Sequence, residues 1–137
     1  MDVVRGNDMT QANYSGRCAC GSVRFECNEE PRRMFNCHCT DCQRATGSGY
    51  APVLVFSREA MKLTGDIKYY SWTSARGRVL DRGFCPTCGN PIFVLTADPA
   101  FCVVYALSLD DPTMYRPEDQ RFARSAQPWD KIGRAHV

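Results

Sequence analysis

Seven of the nine cysteines of this chain lie in three short clusters, and thiolates at such spacings are typical zinc ligands. The clusters are Cys18-Ala-Cys20-Gly21, Cys37-His38-Cys39-Thr-Asp-Cys42 and Cys85-Pro-Thr-Cys88-Gly89. A structural zinc takes four Cys or His ligands, whereas a catalytic zinc typically takes three and keeps one coordination position open. The seven clustered cysteines are enough for one site of each kind, with four ligands and three ligands, so the sequence predicts two zinc sites.

The first and third clusters are predicted to form one closed site of four thiolates. Cys18 and Cys20 are placed on the same side of an extended strand, because strand side chains alternate with a period of two. Cys85 and Cys88 have the two-residue gap of a zinc knuckle. Each pair is followed by a glycine, which adopts the positive φ that a tight turn often needs.

The middle cluster differs, because it has three cysteines within six residues and no glycine after the last one. Cys37, Cys39 and Cys42 are predicted to hold a second zinc with an open position. Such an ion deprotonates a thiol or polarises a carbonyl oxygen. The alternative is a second structural zinc that is completed by His38.

Two other uses of the cysteines are weighed against zinc binding. A disulfide framework is disfavoured because residues 1–11 carry charges and no apolar segment of a secretory signal, so the thiols are expected to be reduced and the protein cytoplasmic. A thioredoxin-like role for Cys85 and Cys88 is also disfavoured. That motif opens a helix in a βαβ unit, whereas here it lies between strand-like runs.

The bulk composition is that of a single ordinary domain of 137 residues. No stretch approaches the roughly 20 apolar residues of a membrane span, so no membrane role is expected. The formal net charge is +2, and seven zinc-bound thiolates with two zinc ions would bring it to about −1. A chain without an overall basic charge gives no support for nucleic-acid binding.

The elements that must position these cysteines are mostly short strands separated by turn residues, which predicts an all-β domain of antiparallel sheets clipped by zinc. A helical turn is expected over 40–45, with Thr40 or Asp41 as its N-cap and a break at 46–49. The predicted strands are Gly16–Cys20, Ser22–Cys27, Arg33–Cys37, Ala51–Phe56, Ile67–Thr73, Arg78–Phe84, Pro91–Leu95 and Phe101–Leu107.

The domain is predicted to span residues 14–130. Residues 1–13 are polar and without periodicity, so a flexible leader is expected there. Residues 131–137 are expected to be a disordered or vector-derived tail, in which His136 is not a proposed ligand. The two remaining cysteines, Cys27 and Cys102, alternate with apolar residues and are expected in the core.

Three segments carry the cysteine motifs: Gly16-Arg-Cys18-Ala-Cys20-Gly21-Ser-Val23-Arg-Phe25, Cys37-His38-Cys39-Thr-Asp-Cys42-Gln-Arg44-Ala-Thr46-Gly47-Ser48 and Phe84-Cys85-Pro-Thr-Cys88-Gly89. In their order and spacing they resemble the glutathione-dependent formaldehyde-activating enzyme family. The resemblance runs from about Tyr14 to Trp129. It implies a β-tent fold, shared with a zinc-binding accessory protein of Rab guanine-nucleotide exchange. It also implies a closed zinc at the four outer cysteines and a more labile zinc at the middle three.

The resemblance further implies a carbon–sulfur lyase that joins a small thiol such as glutathione to an aldehyde. A thiolate ligand that leaves the metal would make room for substrate, and Cys39 is the candidate for this catalytic role. Arg44 is a candidate for binding a substrate carboxylate, and backbone N–H groups of the turn that contains Ser48 are candidates for binding an anion. His38 either relays a proton or points away from the metal.

Three classes of function therefore stand at this point. The first is the zinc-dependent carbon–sulfur lyase with a small thiol and an aldehyde as partners. The second is a non-catalytic zinc-binding module that binds a protein partner, which an exposed apolar patch would favour. The third is a zinc-ribbon-like nucleic-acid binder, for which interleaved aromatic and basic residues on one face are not evident.

Overall fold

The computed structural model of the chain describes residues 13–131, which form ten strands and one α-helix. The strands are β1 (Tyr14–Arg17), β2 (Arg24–Cys27), β3 (Arg33–Cys37), β4 (Ala51–Ser57), β5 (Met61–Thr64), β6 (Lys68–Thr73), β7 (Val79–Phe84), β8 (Pro91–Leu95), β9 (Phe101–Tyr105) and β10 (Asp119–Arg121). The helix, α1, is Thr40–Thr46. The fold is all-β, as the sequence predicts.

The strands form two sheets that enclose the main core. A three-stranded sheet has the order β1-β2-β5, and a seven-stranded sheet has the order β10-β3-β4-β9-β8-β7-β6. Apolar side chains from both sheets pack together, because alternate residues of each strand point to the same face. The fully buried members with the largest side chains are Phe25, Phe56, Leu54, Ile92, Val23 and Val104.

A smaller apolar cluster lies on the second face of the seven-stranded sheet. Its buried members are Ala51, Val53 and Tyr105, and Cys42 of α1 packs against them. Val53 pairs with Tyr105 across β4 and β9, so their side chains share this face. Helix α1 therefore covers the end of the face at which β3 stops and β4 begins.

Most predicted strands are found within a residue or two of their expected bounds, and β3 and β8 match theirs. Two strands were not predicted. Strand β10 has only three residues, all polar, and it pairs with β3 in parallel, so the large sheet is mixed rather than purely antiparallel. Strand β5 is short and mostly exposed, which removes the alternation that marks a half-buried strand.

Two local predictions were wrong in detail. Cys18 and Cys20 lie in a turn after β1 rather than on an extended strand, because the N–H of Gly21 donates to the carbonyl of Cys18 at 3.1 Å. The N-cap of α1 is Cys39, whose thiol accepts from the backbone N–H of Cys42, rather than Thr40 or Asp41.

The expected break after α1 is confirmed, since Gly47 ends the helix in the left-handed conformation with φ 68°. The predictions of a flexible leader over 1–13 and of a tail over 131–137 fall almost wholly outside the described residues. Within 13–131, no helix is both long and apolar enough to cross a membrane.

Candidate metal centres

Four thiols from two distant turns meet at one point, as the sequence predicts. The Sγ atoms of Cys18, Cys20, Cys85 and Cys88 all lie within 4.8 Å of one another. The Sγ of Cys20 is 3.7 Å from that of Cys18 and 3.7 Å from that of Cys85. Four sulfur donors in a closed group are the set that a structural zinc takes, so the site fits that ion.

Backbone N–H groups point at the sulfurs of the first and third members of this group. The N–H of Val23 donates to the Sγ of Cys18, and the N–H of Thr87 donates to the Sγ of Cys85, both at 3.3 Å. Although burial raises the pKa of the Cys18 thiol, the N–H of Val23 and the neighbouring thiols lower it to about 6. These N–H groups stabilise thiolates, which are the form that binds metal.

The two turns repeat each other in their hydrogen bonds. The N–H of Gly21 donates to the carbonyl of Cys18, and the N–H of Gly89 donates to the carbonyl of Cys85 at 2.7 Å. Gly21 and Gly89 have φ values of 81° and 77°, a conformation that glycine adopts without strain. The first turn links β1 to β2 and the second links β7 to β8, so this group clips the two sheets together.

The middle three cysteines form a second cluster at the start of α1. The Sγ atoms of Cys37, Cys39 and Cys42 lie within 4.8 Å of one another, and those of Cys37 and Cys39 are 3.6 Å apart. Cys37 is buried, whereas Cys39 and Cys42 are half-buried. Within 13–131, the cluster of potential metal ligands at this point contains three residues rather than four.

The three thiols of this cluster differ in acidity. Hydrogen bonds from the thiols of Cys37 and Cys42 hold the pKa of Cys39 well below its ordinary value, at about 2. The same interaction with Cys39 raises the pKa of Cys37 to about 11, and interactions with Cys37 and Cys39 raise that of Cys42. Cys39 is therefore the thiol of the cluster that loses its proton most readily, and its sulfur accepts from the thiol of Cys37 at 3.6 Å and from the backbone N–H of Cys42 at 3.3 Å.

His38 lies beside this cluster but its ring is bound elsewhere. Its Nε2 is 2.7 Å from the Oε1 of Gln120, and its Nδ1 is 3.8 Å from the Oδ2 of Asp130. The ring is buried, with 3% exposed, and lies against that of Tyr50. Its nitrogens do not belong to the three-thiol group, which favours the interpretation that His38 points away from the metal.

Gln43 ties α1 to the segment that follows β10. Its Nε2 donates to the carbonyl of His38 at 2.7 Å and to that of Ser125 at 3.0 Å, while its Oε1 accepts from the Nε2 of Gln127. The backbone N–H of His38 donates to the carbonyl of Arg121. The three-thiol cluster is therefore held between the large sheet and the 122–130 segment.

Sequence reasoning missed Tyr105, which belongs to the apolar cluster that Cys42 packs against, and Arg82, which lies beside Tyr105 on the same face of the sheet. The pKa of Tyr105 is raised to about 12, mainly by burial, while the guanidinium of Arg82 opposes the shift as a charge and as a hydrogen-bond donor. Both residues lie on strands that are distant from the cysteine motifs in sequence. Only the strand order of the sheet, which the sequence pattern does not reveal, brings them to this face.

The proposed substrate residues lie near the end of α1. Ser48 is exposed and lines a cavity of about 390 Å³ between the end of α1, the start of β4 and the turn that carries Cys88. Tyr50, Asn90 and Tyr105 line the same cavity. Arg44 is exposed on α1 and is not among the residues that line it.

All nine cysteines are free thiols, so the disulfide framework is not found. Cys27 and Cys102 are buried in the main core, with 1% and 0% exposed, as expected. Cys85 and Cys88 lie in a turn between two antiparallel strands, which is not the context of a thioredoxin-like motif.

Comparisons with known proteins agree with this arrangement. Residues 13–125 match the family model described as glutathione-dependent formaldehyde-activating enzyme. A crystal structure of a protein from Rhodobacter sphaeroides is similar with a TM-score of 0.58 and 20% sequence identity, covering 77% of this chain and 98% of that protein. At this identity the similarity shows the fold alone. No curated protein matches the chain significantly.

Proposed function

We propose that this chain, which belongs to the glutathione-dependent formaldehyde-activating enzyme family, is a zinc-dependent carbon–sulfur lyase that forms or breaks adducts between a small thiol and an aldehyde. The family match supports chemistry on a thiol and an aldehyde. The observation that carries the proposal is the three-thiol cluster of Cys37, Cys39 and Cys42, which offers three ligands where a closed structural zinc site has four.

The two clusters are assigned different roles. The group of Cys18, Cys20, Cys85 and Cys88 would hold a structural zinc that joins the sheets, as in the β-tent that the family likeness implies. Zinc held by the middle cluster would supply a Lewis acid with a free position, at which a substrate thiol is kept as the thiolate. Both sites need reduced cysteines, in keeping with a cytoplasmic location.

The bond changes of the proposed reaction are simple. The sulfur of the substrate thiolate attacks the carbonyl carbon of the aldehyde, so that a carbon–sulfur bond forms and the carbon–oxygen π bond breaks. The resulting alkoxide takes a proton from water, and the reverse reaction returns the thiol and the aldehyde. The half-buried positions of Cys39 and Cys42 leave this side of the cluster open to solvent and to small reactants.

Cys39 is proposed as the ligand that leaves the metal to make further room for substrate. The backbone N–H of Cys42 donates to the Cys39 sulfur at 3.3 Å. This donor does not depend on the protonation of the other two cysteines, so it stabilises Cys39 as a thiolate when the sulfur leaves the metal.

Ser48 and Arg44 remain the proposed substrate-binding residues. The cavity that Ser48 lines joins the turn after α1 to the turn that carries Cys88, and its volume of about 390 Å³ accommodates a small thiol compound. Arg44 lies on the exposed side of α1, where its planar guanidinium is available to a carboxylate.

The proposal is tested by metal content and thiol binding on freshly purified protein. We expect about two zinc per chain, and binding of glutathione by calorimetry only while the second zinc is present. Because thiols and formaldehyde also react without an enzyme, catalysis is measured as exchange between free formaldehyde and its thiol adduct by NMR. The exchange rate should rise in proportion to the concentration of zinc-loaded protein.

One zinc per chain with no binding of thiols would contradict the enzyme proposal and favour the alternative, a zinc-binding module for a protein partner. Replacing Cys39 with Ser should abolish the exchange. Unchanged exchange in a folded Cys39→Ser variant would contradict the role given to this cysteine.

A further inference from the structure

Arg82 occupies an unusual position for an arginine, in the middle of the large sheet. It lies on β7, which has β6 on one side and β8 on the other. It pairs with Val94, which pairs with Val103 on β9, so these three side chains share one face of the sheet. Val53 and Tyr105 belong to the same face, as does Cys42, which packs against them.

The guanidinium of Arg82 is fixed by two aromatic side chains. Its central carbon lies 4.6 Å from the centroid of the Trp72 ring. On the other side it acts as a hydrogen-bond donor toward the hydroxyl of Tyr105. Stacking on an aromatic ring holds a guanidinium plane in place and leaves its edge free for other hydrogen bonds.

No acidic side chain within 13–131 forms an ion pair with Arg82, and its buried Nε has no hydrogen-bond partner there. A partly buried cation without an anion is unfavourable in a folded protein. An anion from outside the chain would complete its interactions. The half-buried Val94 and Val103 beside it offer apolar contact to the carbon chain of such a ligand.

The position of Arg82 relative to the three-thiol cluster indicates what kind of anion this is. Cys42 packs against the apolar cluster that contains Tyr105, and Arg82 acts as a hydrogen-bond donor toward Tyr105. The guanidinium and the three-thiol cluster therefore lie on the same face of the sheet, with Tyr105 near both. A molecule whose sulfur binds at the cluster and whose carboxylate lies a few bonds away would reach Arg82.

We infer that Arg82, held between Trp72 and Tyr105, binds the carboxylate of the thiol substrate and so selects anionic small thiols over neutral ones. This rests on the proposed function, because the thiol itself is placed at the three-thiol cluster. Arg44, on the exposed side of α1, is then available to the second carboxylate of a thiol that has two, such as glutathione. Arg82 is then a specificity-determining residue, and its effect is expected on the affinity for the thiol rather than on the bond-forming step.

The test compares two small thiols with the zinc-loaded protein, the anionic 3-mercaptopropionate and the neutral 2-mercaptoethanol. The wild-type protein should bind the anionic thiol about tenfold or more tightly, because charge-assisted hydrogen bonds are the stronger ones. Arg82→Gln should remove this preference while affinity for 2-mercaptoethanol stays within about twofold. Arg24→Gln, at an exposed arginine of β2, is the matched control and should keep the preference.

Arg82→Lys keeps the charge but loses the planar fork, so it should retain part of the preference. It also keeps the test decisive if the Gln variant does not fold. An unchanged ratio of the two affinities in the folded Gln or Lys variant would overturn the inference. Loss of zinc from the three-thiol cluster, with the ratio of the two thiol affinities unchanged, would also overturn the inference. Arg82 would then only offset the negative charge of the thiolates.

A second measurement separates this inference from the proposed function. Propionate, which has the carboxylate but no thiol, should change the fluorescence of Trp72 in a Trp129→Phe background, with or without zinc. Arg82→Gln should abolish the change. If propionate acts in this way but thiols do not bind, the proposed function fails and the carboxylate site stands. If propionate has no effect at concentrations up to its solubility limit, the carboxylate site is overturned.

Discussion

The backbone N–H of Cys42 donates to the sulfur of Cys39 at 3.3 Å, and Cys39 is the N-cap of the helix that carries Cys42. An N-cap side chain satisfies one of the N–H groups that a helix leaves without partners at its start. Here the cap is also a member of the three-thiol cluster. Helix formation and the assembly of the cluster therefore depend on the same sulfur.

This relationship separates two variants at position 39. Cys39→Ser keeps a side chain that caps well but removes the thiol, whereas Cys39→Ala removes both. We expect both variants to lose zinc from the middle cluster. In metal-free protein, Cys39→Ala should be less stable than Cys39→Ser by about 1 kcal/mol, the usual value of an N-cap. Urea unfolding and metal content measure the two effects. Equal stability of the two variants would contradict the capping role.

The two clusters should release metal in a fixed order. The four-thiol group is closed, and two of its members, Cys18 and Cys85, are buried with backbone N–H groups donating to their sulfurs. The three-thiol cluster offers one ligand fewer and two half-buried thiols. A chelator added in increasing amounts should therefore remove zinc from the middle cluster first.

Circular dichroism and metal analysis, recorded together, check this order. The first equivalent removed should leave the β-sheet signal unchanged, and the second should unfold the chain, because the four-thiol group joins β1 and β2 to β7 and β8. Cys88→Ser is a useful comparison, because it should unfold at a lower temperature than the Cys42→Ser variant. Loss of structure with the first equivalent would contradict the assignment of roles.

The cysteine clusters were predictable because zinc ligands have local spacing rules that the sequence displays directly. Cys85 and Cys88 illustrate this, since a two-residue gap followed by glycine defines the turn without reference to the rest of the fold. The bounds of strand β3 were likewise predicted correctly from the residues of the strand itself. In both cases the information lies within six residues of chain.

The neighbours of the three-thiol cluster were not predictable for the opposite reason. Tyr105 and Arg82 come to the same face of the sheet through the order of β4, β9, β8 and β7, and strand order depends on long-range pairing. Strand β10 has no apolar residue and forms only because it pairs with β3. The cap at Cys39 was missed because thiols are not among the side chains preferred at N-caps.

Gly16 should be among the least replaceable residues of β1. A Cβ at this position would lie 2.3 Å from the carbonyl oxygen of Ser108 and 2.4 Å from the ring of Phe25, so Gly16→Ala must displace backbone or a fully buried ring. We expect a loss of about 2 to 3 kcal/mol in the free energy of unfolding, as for other overpacked cores.

Gly77 is the matched control for this substitution. It has a positive φ of 83° at the turn between β6 and β7, and a Cβ there would meet nothing within 4 Å. Gly77→Ala should therefore lower the free energy of unfolding by only about 1 kcal/mol, the cost of a residue with a Cβ in the left-handed conformation. Chemical denaturation of both variants measures the difference. A smaller loss for Gly16→Ala than for Gly77→Ala would show that the core around Phe25 adjusts.

The buried thiol of Cys102 should make the fold sensitive to alkaline pH. Burial raises its pKa from 9.0 to about 11. A raised pKa means that the folded state favours the protonated thiol, so this stabilisation is complete below pH 9 and is lost as the pH rises toward 11. The free energy of unfolding should fall by on the order of 2 kcal/mol across that window.

Cys102→Ala, although less stable at pH 8 because it leaves a cavity, should show a shallower fall in the free energy of unfolding between pH 9 and pH 11. Urea unfolding at several pH values gives both slopes, and equal slopes would mean that Cys102 is not the group responsible.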